Sequence, residues 1–175
     1  MNAIIDQPDN KNFLTQHRFQ LSLNRAPTVK YFCTAATLPG VTLDPVEIAN
    51  PVGWVPYPGT KVIFTEFSVR FRVDEDLVNY QEILNWLFSA GAPETTDQYK
   101  AAVPTGRVHA QTSALYSDAR LLVFSSHLNH TFSVHIKDAF PISVSPLEFN
   151  TSSADVEYLE ADVSFRYTTF SIDTS

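Results

Sequence analysis

Residues 61–90 read KVIFTEFSVRFRVDEDLVNYQEILNWLFSA, and their reading decides the fold. The first half alternates apolar and polar residues as a half-buried strand does. Its phase changes midway, because Val62 and Phe64 share one parity while Phe67, Val69, Phe71 and Val73 share the other. A slip of one residue turns side chains to the opposite face, so a β-bulge and a bend are expected near Thr65-Glu66. In the second half Leu77, Tyr80, Ile83, Leu84 and Leu87 recur at spacings of three and four, which predicts a helix with one buried stripe over residues 75–90. Asp74 is the expected N-cap, with the acids of Asp74-Glu75-Asp76 facing the positive end of the helix dipole, and Gly91 and Pro93 supply the stop. Trp86 falls off the strictest stripe, so it either widens the buried face or meets a partner.

Outward from this segment the signals are mostly those of strands. Phe19, Leu21 and Leu23 alternate with Gln20, Ser22 and Asn24; Arg25-Ala26-Pro27 makes a turn, and residues 29–36 read as the return strand of a hairpin that ends at Leu38-Pro39-Gly40. Residues 41–60 hold Pro45, Pro51, Pro56 and Pro58, and form a long loop or open hairpin. With Val41, Leu43, Val46, Ile48, Val52, Trp54 and Val55 it is too apolar for a solvated linker, so it either binds something or folds back over an open end of its own core. Downstream, strands are expected at 118–125 and 131–137 around a turn at 126–130, and then a break at Phe140-Pro141. A short strand at 142–149, interrupted by Pro146, and a long one at 156–172 follow, while residues 94–117 read as a variable connection. The expectation is a mainly β protein, a barrel or sandwich of antiparallel strands with one flanking helix. It has a polar arm at residues 1–17, whose large apolar pair is Phe13 and Leu14, and a single domain over 18–175.

Composition excludes several kinds of chemistry. The 175 residues carry 12 basic and 19 acidic side chains, a net charge of −7, so binding to phosphate backbones has no basic cluster to rest on. One cysteine, Cys33, excludes an internal disulfide and a multi-thiolate zinc site; inside an apparent strand it reads as a packing residue. The five glycines are isolated, so neither dinucleotide nor P-loop spacing exists. His127, His130 and His135 lack a carboxylate between them, and Asp138 lies beyond, which leaves a metal site short of ligands. Arg70 and Arg72 share one strand face and are expected to pair with acids of a neighbouring strand or subunit. No run of about 20 apolar residues occurs, and the N-terminus has no secretory leader, so synthesis in the cytosol is expected. No catalytic residue, metal or cofactor is assigned.

The order of elements resembles the tail tube proteins of contractile-tailed bacteriophages of the T4-like type. The matching stretches are RFQLSLNRAPTVKYFCTAATLPGV, VIFTEFSVRFRVDEDLVNYQEILNWL and FPISVSPLEF with VEYLEADVSFRYTTFSI, covering most of residues 18–172. The resemblance implies a subunit of hexameric rings that stack into a hollow tube through which DNA leaves the capsid without specific binding. It also implies sheath and baseplate or neck partners, and a place in the virion tail after assembly in the host cytoplasm. The family's arm and long loop contact adjacent subunits and rings, which makes Phe13, Leu14, Leu43, Ile48, Val52, Trp54 and Tyr57 candidate contacts, and Trp86 on the helix is a further one. An acidic bore would repel the phosphate backbone, so acidic residues are expected to face the channel. Proteins that start or complete the tube share the fold and remain alternatives. Outside it stand a carbohydrate- or ligand-binding β domain using Trp54 and Tyr57, and a hydrolase built on Asp74, Glu75 or Asp76 that lacks a nucleophile–base pair.

Overall fold

The computed structural model describes residues 13–14, 16–91, 115–125, 130–150 and 158–174. Most of the connection expected at 94–117, most of the 1–17 arm and most of the 126–130 turn lie outside the described residues, and Ser117 already belongs to a strand. In chain order the elements are β1 (Phe19–Leu23), α1 (Pro27–Phe32), β2 (Cys33–Ala36), β3 (Val41–Leu43), β4 (Val46–Asn50), β5 (Gly53–Tyr57) and β6 (Val62–Phe64). They continue with β7 (Phe67–Arg72), α2 (Val78–Gly91), β8 (Ser117–Phe124), β9 (His130–Val144), β10 (Glu160–Arg166) and β11 (Thr169–Thr174).

One antiparallel sheet runs in the order β1-β8-β9-β10-β7-β2, with β11 also on β9. It works as two sheets because β9 belongs to both. Through residues 132–137 β9 pairs with β8 and β11, and through residues 140–144 it pairs with β10. The break expected at Phe140-Pro141 is therefore absent, and 130–144 is one strand. Between Ser164 and Phe165 of β10 the partner on β9 jumps from Ser143 to Pro141, so Ile142 is an extra residue that makes the ladder irregular where Pro141 lacks an N–H. The bend that hands β9 from one sheet to the other sits at Asp138, whose φ of 55° is left-handed and whose N–H donates to Asp118 Oδ1 at 3.2 Å. Asp tolerates this region and β-branched residues do not. Asp138→Val is expected to cost about 1–2 kcal/mol in urea unfolding, and Asp138→Gly close to nothing.

The phase change at Thr65-Glu66 is a change of partner. β6 pairs with β3, whereas β7 enters the large sheet between β10 and β2. Phe67, Val69 and Phe71 lie opposite Phe165, Val163 and Ala161, and all six are fully buried. Leu21, Leu23, Leu121, Val134 and Ile136 bring the apolar face of the other sheet into the same core. The strand expected over 156–172 is divided in the same way: β10 stays with β7 and β9, and after Tyr167-Thr168 the chain returns as β11 on the first half of β9.

Residues 29–36 do not form the return strand of a hairpin. Pro27 occupies the first turn of α1, where its fixed φ and missing N–H suit a helix start. Val29 enters the core from that helix, and Thr28 Oγ1 donates to the Glu82 carboxylate of α2. Only Cys33–Ala36 is extended, and it pairs with β7 rather than β1.

The second helix starts at Val78, later than expected. Asp74 opens a turn instead of capping the helix: its carbonyl accepts the Leu77 N–H at 2.9 Å, and its Oδ1 accepts from Glu75 N at 3.0 Å. Leu77, at φ 58°, then leads into α2. The polar work falls to Asn79, which is fully buried; its Oδ1 accepts from Tyr80 N (2.8 Å) and Asp74 N (3.2 Å), and its Nδ2 donates to Arg72 O (2.8 Å). Asn79→Ala leaves three backbone groups unsatisfied and is expected to lower stability by about 1–3 kcal/mol in urea unfolding. The buried stripe is Asn79, Ile83, Trp86 and Ser89, rotated from the one expected.

Candidate functional site

Between Gly40 and Thr65 the chain leaves the body as an arm. Its root is closed by Thr65 N–H donating to Gly40 O (3.0 Å) and Gly40 N–H donating to Thr65 Oγ1 (2.7 Å). Tyr167 Oη donates to Thr65 O at 2.8 Å, and the Phe64 ring packs on those of Tyr167 and Phe170. The β3–β6 ribbon carries the chain outward to the β4–β5 hairpin, and at the joint Gly59 passes so close to Asp44 that an added Cβ would overlap its carbonyl. The root is thus fixed, and every residue of β3, β4 and β5 is exposed. The open hairpin expected from the sequence is present; the alternative in which it folds back over the core is not.

Cross-strand pairing sorts the hairpin's side chains by face. Val46 lies opposite Tyr57 and Ile48 opposite Val55, so these four make one apolar stripe. Ala49 and Trp54 pair on the reverse face, and the Trp54 side chain leaves the residue 69% exposed. An isolated two-stranded ribbon is marginal in water, and a stripe of aliphatic residues facing solvent makes it more so. Trp54 and Tyr57 lie on opposite faces, so they do not form the joint platform a sugar-binding loop requires.

Of the other candidate contacts, Phe13, Leu14, Leu43 and Val52 are exposed. Trp86 is the correction: at 2% exposure it is a core residue, with Nε1 donating to Leu115 O at 2.7 Å and its ring 5.8 Å from that of Phe165, while the Arg25 guanidinium lies 5.3 Å from its ring centroid. Its place off the apolar stripe reflects the rotation of α2 and leaves nothing for a partner. Val46 and Val55 were not singled out as contacts by their residue type; the signal was their parity with Ile48 and Tyr57 across the Pro51-Val52 turn.

The outward face of β7 and β10 bears paired charges. Arg70 makes two contacts to Asp162 (2.9 and 3.2 Å), Arg72 meets Glu160 (3.7 Å) and Arg166 meets Glu66 (3.6 Å). The hydrogen bond and charge of Asp162 hold the Arg70 guanidinium above its ordinary value. These arginines pair within the chain, as one of the two sequence expectations had it. The outward face of β8, β9 and β11 mixes Asp118, Arg120, Lys137 and Asp173, with His135 Nε2 3.3 Å from Asp173 and 3.2 Å from Ser133 Oγ. Among the described residues no three His, Cys, Asp or Glu are grouped to hold a metal. Cys33 is half-buried, and burial pushes its thiol up to about 11, away from the reactive thiolate.

Among the described residues the architecture is a sandwich of antiparallel strands with two helices and a protruding apolar ribbon, and it offers no catalytic cluster. The family model described as phage tail tube protein matches residues 4–173. The chain belongs to that family. Its fold is shared with a chain in the cryo-EM structure of the anti-feeding prophage tube-terminating cap, at 15% identity over 100% of both chains and a TM-score of 0.62. It is also shared with a chain of the sheath–tube complex of the PVC extracellular contractile injection system in its extended state, at 14% identity over 94% of both chains and a TM-score of 0.59. A type six secretion system protein superimposes with a TM-score of 0.50 at 6% identity, covering 89% of this chain and 82% of that one. No curated protein matches the sequence.

Proposed function

We propose that this chain is the repeating subunit of a tail tube: six copies close a ring, rings stack coaxially, and the bore conducts DNA out of the capsid. The observation that carries this reading is the exposed Val46-Ile48-Val55-Tyr57 stripe on a ribbon whose root is locked to the body. Such a surface is covered by the adjacent ring, and rigid attachment sets the spacing between rings. A sheath surrounds the tube, which starts on a baseplate and ends at a neck, in the tail of a virion assembled in the host cytoplasm. No catalysis is required; the work is geometric. Acidic residues at the bore remain part of the proposal, and replacing them with Lys is expected to slow DNA passage. Among the described residues, acids and bases balance on each outward sheet face, and further acids sit at the arm (Asp44, Glu47), the turn before α2 (Asp74, Glu75, Asp76), the bend at Asp138 and the segment after β9 (Glu148).

A tube-completing protein present in a single ring is the second reading, favoured by the full-length likeness to a tube-terminating cap. Counting chains per purified particle by quantitative mass spectrometry separates the two. A repeating subunit is present in many times the copies of any cap or baseplate component, and one ring's worth per particle selects the completing role.

A further inference from the structure

In the β1-β8-β9-β11 sheet two cations stand without a counter-charge. Among the described residues Arg70, Arg72 and Arg166 of the other sheet each meet an acid, whereas Arg120 of β8 and Lys137 of β9 make no ion pair. Both line one polar cleft of about 380 Å³, together with Ser22, Asn24 and His135. Strand pairing builds it, for Ser22, Arg120 and His135 lie directly opposite one another on β1, β8 and β9. Between Ser117 and Ala119 the ladder shifts, so that Lys137 and Asp138 of β9 stand against the single residue Asp118. Such a bulge re-aims side chains, and here it brings Lys137 to the cleft that Arg120 borders.

The other titratable groups there are already engaged. Asp118 lines the cleft too, yet its Oδ1 accepts the Asp138 N–H at 3.2 Å and it pairs with neither cation. His135 Nε2 lies 3.3 Å from Asp173 and 3.2 Å from Ser133 Oγ. With His135 neutral, the lining sets two positive charges against one negative, an excess of one. That excess balances a single carboxylate, whereas a phosphate monoester carries about −1.5 to −2 at neutral pH and would be left uncompensated. A nucleic-acid strand is disfavoured twice: no aromatic ring lines the cleft for a base to stack on, and the whole chain carries −7. The arginine fork suits two-point contact with a carboxylate, and Lys137 adds a point charge. Cavities of about 300–1,000 Å³ hold ligands much larger than one such group, so the cleft has room for an acidic residue with its neighbours, whose peptide groups the Ser22 hydroxyl and Asn24 amide can hydrogen-bond.

We propose that this cleft is a binding site for an acidic peptide segment, holding one Asp or Glu carboxylate between Arg120 and Lys137. The partner is a protein that presents such a residue on an exposed loop or tail. Every group that makes the site belongs to one subunit, so it depends on neither ring closure nor stacking and is tested apart from them.

The test is the fluorescence anisotropy of a rhodamine-labelled Gly-Ala-Glu-Ala-Gly peptide titrated with the full-length chain at low salt. Expected is saturable binding about tenfold or more tighter than that of the same peptide with Gln in place of Glu, weakened about tenfold by Arg120→Gln and by Lys137→Gln. Both side chains are exposed, so both variants are expected to keep the wild-type unfolding curve, and Arg166→Gln, in the other sheet, to keep the wild-type affinity. Equal binding of the Glu and Gln peptides, binding of neither, or wild-type affinity in both cleft variants would overturn the proposal while leaving tube assembly standing. Acetate is expected to displace the peptide at a lower concentration than dimethyl phosphate does; the reverse order would assign the cleft to phosphodiesters and reject the carboxylate.

Discussion

Phe165→Ala is expected to lower the unfolding free energy by about 3–5 kcal/mol, a large share of the ~5–15 kcal/mol that holds a typical domain together. The ring is fully buried, 6.0 Å from Phe67 and 5.8 Å from Trp86. It sits on β10, the strand between β7 and the shared β9, and at the residue where the ladder to β9 shifts. Its removal opens a void that touches both sheets and α2, and none of these can move in to fill it without breaking strand pairing. Urea unfolding followed by circular dichroism measures the loss, and a change below about 1 kcal/mol would mean that the two sheets do not share a core at this point.

Replacing residues 45–58 by a short Gly-Ser turn is expected to separate folding from assembly. Every residue of β4 and β5 is exposed and contributes nothing to the core, so unfolding should change by no more than about 0.5 kcal/mol, as for other surface changes. Stacking should fail altogether. Ile48→Asp and Val55→Asp test the same surface more gently: each puts a charge into the apolar stripe, and each is expected to raise the concentration at which stacks form about tenfold or more, because burying an unpaired carboxylate is costly. Single rings should persist in all three variants. Sedimentation and negative stain distinguish rings from stacks. Full-length tubes from the truncated chain would remove the hairpin from the stacking contact.

Where apolar residues strictly alternate, the fold was legible in the sequence. Leu21-Leu23, Phe67-Val69-Phe71 and Ala161-Val163-Phe165 all became buried rows, with Phe19 half-buried at the end of the first, because a strand with one wet face has only one register that hides its apolar side chains. The phase change at Thr65-Glu66 was visible too, although it marks an exchange of partners rather than a bulge inside one strand. Errors arose where a residue type has two physical uses. Pro27 signals a turn or a helix start, and only Val29 reaching the core decides between them. Pro141 breaks a strand unless the ladder beside it is irregular, and the extra residue Ile142 on β9 supplies that, against a partner distant in sequence. Asp74 has the chemistry of a cap, but buried Asn79 takes the backbone groups, and α2 rotates so that Trp86 points inward. The hairpin was recognisable from its surplus of apolar residues, while its apolar face required knowing which positions pair across Pro51-Val52. The return of β11 onto β9 was hidden in a strand that the sequence did not show to be interrupted at Tyr167-Thr168.

Cryo-electron microscopy of assemblies grown from the concentrated full-length chain is the most direct test of the idea that the apolar ribbon is completed by other copies. Expected are six-fold rings stacked on a common axis, with Val46, Ile48, Val55 and Tyr57 of each subunit covered by the adjacent ring. Particles in which those four side chains still face solvent while the rings are stacked, or a chain that stays a lone subunit at every concentration and on every template tried, would contradict it.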